Sequence, residues 1–187
     1  MSKNLKSHID QISQLTDEEF DFVLSHFVYK SFKRREYLFK VGDPVKYHYF
    51  ILSGLLKLVY NTQEGKQHII SFAMENWWES DFNAYCSATN ATMSLECLED
   101  TEVLCLPLAG YQTICSSLQK MEHYFLQLAN LNFISAQRRV ISGMTLNVKE
   151  QFEHVQSQYP FLKQRVPKTL IAAYIGVSRE TLSRLEP

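Results

Sequence analysis

The apolar period of the chain changes twice along its length. Residues 1 to about 27 read as a short amphipathic helical lead, with Phe20, Val23, Leu24 and Phe27 at helical spacing. Thr16 precedes this run and is followed three residues later by Glu19, the signature of a capping box. From about Tyr29 to Leu106 the period falls to two. Phe32, Tyr37 and Phe39 precede the turn Gly42-Asp43-Pro44, Tyr47 to Leu52 leads into Ser53-Gly54, and Leu56 to Tyr60 into the polar loop 61–66. His68 to Phe72, Thr92 to Leu98 and Glu102 to Leu106 complete a series of short aromatic and β-branched runs with turn signals between them. That pattern predicts an antiparallel β-barrel or jelly roll, with Gly54 and Gly65 supplying the positive φ that tight hairpins need.

Pro107 closes the last strand, and a long helical pattern then runs from Leu118 to Ile141. Leu118, Met121, Phe125, Leu128, Leu131, Ile134 and Ile141 lie near one face, and Tyr124, Phe133 and Val140 widen it. A helix apolar on two sides needs two partners. One is its own barrel. The other is expected to be the same helix of a second subunit, met through Met121, Phe125, Leu128 and Leu131; a second contact within one chain is the alternative. Gly143 loosens the end of this helix, Thr145 to Tyr159 forms another stopped by Pro160, and Pro167 starts the next. Three parts are expected: a barrel domain over 1–117, a dimerisation helix over 118–143, and a terminal helical domain over 144–187.

Composition narrows the class. A chain of 187 residues, 45% hydrophobic and 21% charged, can bury a sizeable core, which excludes a disordered or collagen-like polymer. Its apolar runs fall well short of the ~20 residues of a membrane span. The start, MSKNLKSHIDQ, has no apolar secretory core, so the cytoplasm is expected and no membrane partner. The net charge of −1 hides an asymmetry: from Tyr111 onward there are 9 basic and 5 acidic residues, against 10 and 15 before it. Only the back of the chain suits a polyanion.

The most informative segment runs from Lys168 to Leu185 and fits a helix-turn-helix position by position. Ala172 is small where two helices cross, and Gly176 sits where the turn needs a left-handed backbone. Ile171, Ile175, Val177, Leu182 and Leu185 occupy the positions that must bury between the helices. Ser178 is a natural N-cap, with Glu180 favourable in the first turn after it. The second helix would present Arg179, Glu180, Ser183 and Arg184 outward, with Lys168 and Thr169 at the start of the first. Arginine pairs bidentately with guanine, glutamate accepts from cytosine N4, and hydroxyls reach phosphate or base. An αα-hairpin with a solvated charged face is the bland reading, but it does not require the small residue, the glycine and the apolar positions at these offsets together.

Ser178-Arg179-Glu180-Thr181-Leu182-Ser183-Arg184 resembles the recognition helix of the CRP/FNR superfamily of transcription regulators. The order barrel, long helix, basic helix-turn-helix resembles that family over almost the whole chain. Phe50-Ile51-Leu52-Ser53-Gly54 is similar to the strand-and-glycine segment of cyclic-nucleotide-binding barrels. The resemblance implies an α+β homodimer joined through the long helix, each recognition helix in a major groove, with double-stranded DNA and RNA polymerase as partners. It implies half-sites like TGTGA or TTGAT about one helical turn apart, Arg179 and Arg184 addressing guanines and Glu180 a cytosine. It also implies allosteric control through the barrel by a small-molecule effector, here unidentified.

Two departures limit the transfer. Nucleotide binders of the family hold the phosphate with Gly-Glu and then an Arg-Ala or Arg-Ser pair. Here Glu79 matches the acidic position, Trp78 stands where the glycine would be, and Ala91-Thr92 where the arginine pair would be. No Lys or Arg occurs between Asp81 and Glu102, so a cyclic phosphodiester lacks its cation and cyclic AMP is not expected. Trp78, Glu79, Ser80, Asp81, Ala91 and Thr92 remain candidates for lining an effector pocket. Secondly, the chain stops at Pro187, directly after the recognition helix, without the winged hairpin of many relatives; fewer phosphate contacts and weaker binding are expected.

Other chemistry finds no machinery. Cys86, Cys97, Cys105 and Cys115 form no CxxC, and the six histidines are isolated, so no metal, haem or iron–sulfur cluster is expected. Trp77-Trp78 suits packing better than a stacking platform, and no nucleophile motif or phosphate loop occurs. The sequence thus points to a DNA-binding regulator rather than an enzyme. The competing reading is a ligand- or partner-binding barrel with no DNA-binding role.

Overall fold

The computed structural model describes residues 2–160 and 162–184. Leu185, one of the expected buried positions of the terminal helices, lies outside them. The described residues divide into two compact units. One holds the chain up to Tyr60 with Ser71–Ala129, the other Asn61–Ile70 with the chain from Asn130 onward. The division falls inside the long helix and assigns a hairpin tip to the second unit.

In the first unit, α1 (Ser2–Asp10) and α2 (Asp17–Leu24) precede the strands. The expected capping box is present at α2: Thr16 accepts from the Glu19 amide and the Glu19 carboxylate accepts from the Thr16 amide. The strands are β1 (Val28–Phe32), β2 (Tyr37–Phe39), β3 (Tyr47–Ser53), β4 (Leu55–Asn61), β5 (Gln67–Met74), β6 (Trp78–Glu79), β7 (Ser94–Cys97) and β8 (Thr101–Pro107). They form two four-stranded sheets, ordered β1-β8-β3-β6 and β2-β7-β4-β5, a jelly-roll arrangement. Gly54 links β3 to β4 at φ +102, and a Cβ there would meet Asp100 O at 2.6 Å and the Thr101 backbone at 2.8 Å. Only glycine fits this corner.

Alternation along β3 and β8 separates two cores. Phe50 pairs with Leu104 and His48 with Leu106 on one face; Tyr49 pairs with Cys105 and Ile51 with Val103 on the other. The first face packs against the helices, where Phe50, Leu52, Leu104 and Leu106 join Leu5, Ile9, Phe20, Val23, Ile114, Met121, Tyr124 and Phe125. The second face points between the sheets, and its four residues are buried.

Two helices fall within stretches without a helical apolar period. One is α3 (Phe82–Ser87), capped by Asp81 and ended by Ala88 at φ +51. The other is α4 (Leu108–Ser117), which begins directly after Pro107. The long helix, α5 (Gln119–Thr145), begins one residue later than its pattern predicts and continues through Gly143. Beyond it come α6 (Val148–Gln158), capped by Asn147, then α7 (Leu162–Arg165), α8 (Lys168–Tyr174) and α9 (Arg179–Ser183). No helix among the described residues is long and apolar enough to cross a membrane.

Candidate functional site

Three regions hold the residues nominated by sequence. In the second unit, α8 starts after Pro167, whose φ of −57 leads the backbone into the helix. Its end is a tight turn: Val177 N donates to Ala172 O at 2.9 Å, and Gly176 takes φ +80. Nothing lies within 4 Å of a Cβ built on Gly176, so the backbone angle alone selects glycine there. Ser178 then caps α9 by accepting from the Thr181 amide. Ile171, Ala172 and Leu182 are buried, and Ile175 and Val177 partly so. This inner seam leaves Lys168, Thr169, Ser178, Arg179, Glu180, Ser183 and Arg184 all exposed. Glu180 is held below the usual carboxylate range, first by its own backbone N–H and then by the Ser178 hydroxyl, and is therefore an ionised acceptor at neutral pH.

A residue not singled out from the sequence organises the same unit. Arg139 of α5 donates from Nη2 to Ile69 O in the hairpin tip at 3.0 Å, and its guanidinium carbon lies 4.3 Å from the Tyr174 ring centre in α8. It thus ties the tip to α8 by a hydrogen bond and a cation–π contact. In the sequence it is one of two adjacent arginines, with no signal separating it from Arg138.

The expected effector region lies in the first unit, and the chain itself engages its side chains. Trp78 is buried and donates from Nε1 to Tyr124 Oη at 2.8 Å. That hydroxyl is also hydrogen-bonded to His8 Nδ1 at 2.8 Å, with the direction set by the His8 tautomer. Glu79 accepts from the Ser71 hydroxyl and the Ser80 amide, and Ser80 Oγ donates to Tyr47 O. Asp81 is fully buried and accepts from Ala84 N at 3.2 Å, Thr92 N at 2.8 Å, Thr92 Oγ1 at 2.9 Å and Met93 N at 3.2 Å. Ala91 is bound to the 42–43 turn through both its amide and its carbonyl. The region is built around Asp81, two residues beyond the carboxylate that the resemblance marks; both stand in the sequence without a basic neighbour. Beneath α3, His48 Nδ1 and Tyr85 Oη are buried without a hydrogen-bond partner, and burial pushes His48 down to about 3.

The third region is α5, where the expected contact residues separate. Met121 and Phe125 belong to the core of the first unit and are closed to a second subunit, a correction to their place on the expected interface. Leu128 is partly buried against that core, and Leu131 is exposed. The open apolar positions lie further along: Leu126, Phe133 and Val140, seven residues apart, with Ile134, Ile141 and Met144 beside them. The buried apolar positions thus lie in the first part of the helix and the open ones mostly beyond it, with Leu126 open beside the buried Phe125. The seven-residue repeat at 126, 133 and 140 is the sequence signal that marks the open face.

Among the described residues there is no group of three or more His, Cys, Asp or Glu able to hold a metal ion. Residues 29–117 match the model of the cyclic nucleotide-binding domain family. A sequence comparison with characterised proteins gave no match. Solved structures share the fold over most of both chains. The catabolite activator protein of Thermus thermophilus is 21% identical, with a TM-score of 0.59 over 95% of this chain and 84% of that one. The c-di-GMP responsive global regulator CLP of Xanthomonas campestris is 15% identical, with a TM-score of 0.70 over 91% and 89%. A regulator assigned to the crp/fnr family from Eubacterium rectale is 14% identical, with a TM-score of 0.70 over 91% and 82%.

Proposed function

We propose that this chain, a cyclic nucleotide-binding domain followed by helices in the fold of the CRP/FNR regulators, is a homodimeric transcription regulator that reads DNA through α8 and α9. The observation that carries the proposal is the division of labour in the α8–α9 pair. Its inner residues, Ile171, Ala172 and Leu182, are spent on packing, while two guanidinium groups and an ionised carboxylate stand in solvent on or beside one five-residue helix. Arg179 and Arg184 offer paired N–H donors to guanine O6 and N7, and Glu180 offers an acceptor to cytosine N4. Lys168 and Thr169 at the start of α8 suit backbone phosphates, which fix register without reading sequence. The helix-turn-helix would enter the major groove twice, with α5 setting the separation of the two copies through its open half.

In this reading cyclic AMP is not the effector. A cyclic phosphodiester needs a cation or a convergent set of N–H donors. The donors that converge here, the amides of Ala84, Thr92 and Met93, already bind the Asp81 carboxylate. A second acceptor in that place would find those donors already taken. The protein is a cytoplasmic, non-enzymatic regulator, with RNA polymerase as its downstream partner.

A salt titration on a randomised duplex library tests the reading. Retention should depend on sequence and weaken steeply as salt rises, because each phosphate contact releases counterions. Retention independent of sequence, or none, would favour a barrel that binds a ligand or partner without touching DNA.

A further inference from the structure

We propose that the seam between β1 and β2 is a binding site for a small aromatic anion, an aryl carboxylate or aryl phosphate. The proposal deepens the reading of the barrel as an effector module and is independent of how α9 meets DNA. β1 and β2 are the outer strands of the two sheets, on the edges away from β6 and β5, so the jelly roll is open between them. An open cavity of about 440 Å³ lies in this seam, within the range of small-molecule sites. Its rim adjoins the Asp81 region, since Asp43 O accepts from Ala91 N and Tyr47 O accepts from Ser80 Oγ, but the donors around Asp81 are themselves engaged by the chain.

The walls define the ligand. Phe39 and Tyr49, both almost fully buried, stack with centroids 6.2 Å apart and planes at 25°. Tyr47 meets Tyr49 edge-on at 6.0 Å. Over Tyr47 stands Lys30 Nζ, 4.4 Å from the ring centre, and the exposed Lys46 also lines the cavity. No ion pair among the described residues involves either lysine. The one carboxylate in the lining, Asp43, accepts the Lys40 amide within its own turn. Two lysines without ion pairs beside the half-buried Tyr47, which Tyr49 and Phe39 back from within, call for a ring that packs against Tyr47 and an anionic group directed at the lysines.

The test is titration calorimetry on the full chain, with saturation-transfer NMR to identify the protons in contact. The probes are benzoate and phenyl phosphate, with inorganic phosphate as the anion alone and benzyl alcohol as the ring alone. At least one aromatic anion should bind, and both partial probes should bind more weakly by roughly tenfold or more. The Lys30→Gln/Lys46→Gln double variant should lose roughly 10- to 100-fold in affinity at an unchanged melting temperature. Tyr47→Leu should weaken binding while leaving the lysines in place. The proposal is overturned if neither aromatic anion binds at millimolar concentration, if inorganic phosphate binds equally well, or if the double variant binds as the parent does. Sequence-dependent retention on DNA, measured with the same preparations, separates failure of this site from failure of the regulator reading.

Discussion

Trp78 Nε1 donates to Tyr124 Oη at 2.8 Å, joining the two-residue strand at the head of the expected effector region to the first half of the long helix. Both side chains are buried, and His8 of α1 completes a relay on the far side of the hydroxyl. Trp78, the residue that the resemblance sets against a glycine of the nucleotide-binding pattern, thus holds the helix that the regulator reading makes the dimer axis. A conformational change at β6 meets α5 directly, without passing through a ligand.

Tyr124→Phe removes the shared hydroxyl and leaves the buried Trp78 N–H without an acceptor. Stability should fall by about 1–3 kcal/mol, the range for an orphaned buried donor. Urea denaturation measures it, and Trp78 fluorescence in the native baseline should shift with the lost hydrogen bond. An unchanged midpoint would mean that water replaces the hydroxyl at no cost.

His48 should make the barrel acid-sensitive. Burial depresses its folded pKa to about 3 from an ordinary 6.5, so the unfolded chain takes up the proton first as pH falls. The associated stability is fully present above pH 6.5 and is lost progressively towards pH 3. The slope is up to about 1.4 kcal/mol per pH unit. His48→Phe, which also removes the orphaned Nδ1, should flatten the dependence between pH 5 and 7 relative to the parent in paired denaturation curves.

The two glycine turns should respond differently to alanine. At Gly176 the added methyl meets nothing, so Gly176→Ala should cost only the left-handed backbone penalty, about 1–2 kcal/mol, felt by α8 and α9. Hydrogen exchange should speed up there and leave the barrel strands unchanged. At Gly54 the methyl would collide with Asp100 O and the Thr101 backbone, so Gly54→Ala should lower the melting temperature of the barrel itself.

The open half of α5 should govern oligomeric state. Phe133→Glu or Val140→Glu places a charge among exposed apolar side chains, so the fold should hold while the dimer dissociates in light scattering. Met121→Glu should unfold the first unit instead, because Met121 is completely buried in the helix-side core.

The elements legible in the sequence are those with a local physical cause. The capping box at Thr16, the positive φ of Gly54, Gly65 and Gly176 and the Ser178 cap all stand where residue type dictates. The turn and the buried small residue Ala172 likewise follow from local chemistry. By contrast, α3 was hidden because its six residues have no apolar period; its cap, Asp81, is also bound by the distant Thr92 and Met93 amides. Met121 and Phe125 show why periodicity alone misplaces an interface. It reports that a side chain needs burial, not whether α1, α2 and the barrel or a second chain supplies it. Arg139 was illegible for the same reason, since its partners lie 70 residues before it and in another helix.

The central claim, that α9 reads DNA bases, is tested most directly by comparing parent and Arg184→Ala on a selected operator and on every single-base-pair change within one half-site. The account predicts that the variant loses about 1–3 kcal/mol of discrimination at one base pair and keeps its preferences elsewhere. Lys168→Ala should instead weaken all sequences alike and reduce the salt dependence. If Arg184→Ala weakens every sequence equally, or leaves the preferences of the parent untouched, α9 does not read bases through Arg184 and the account is contradicted.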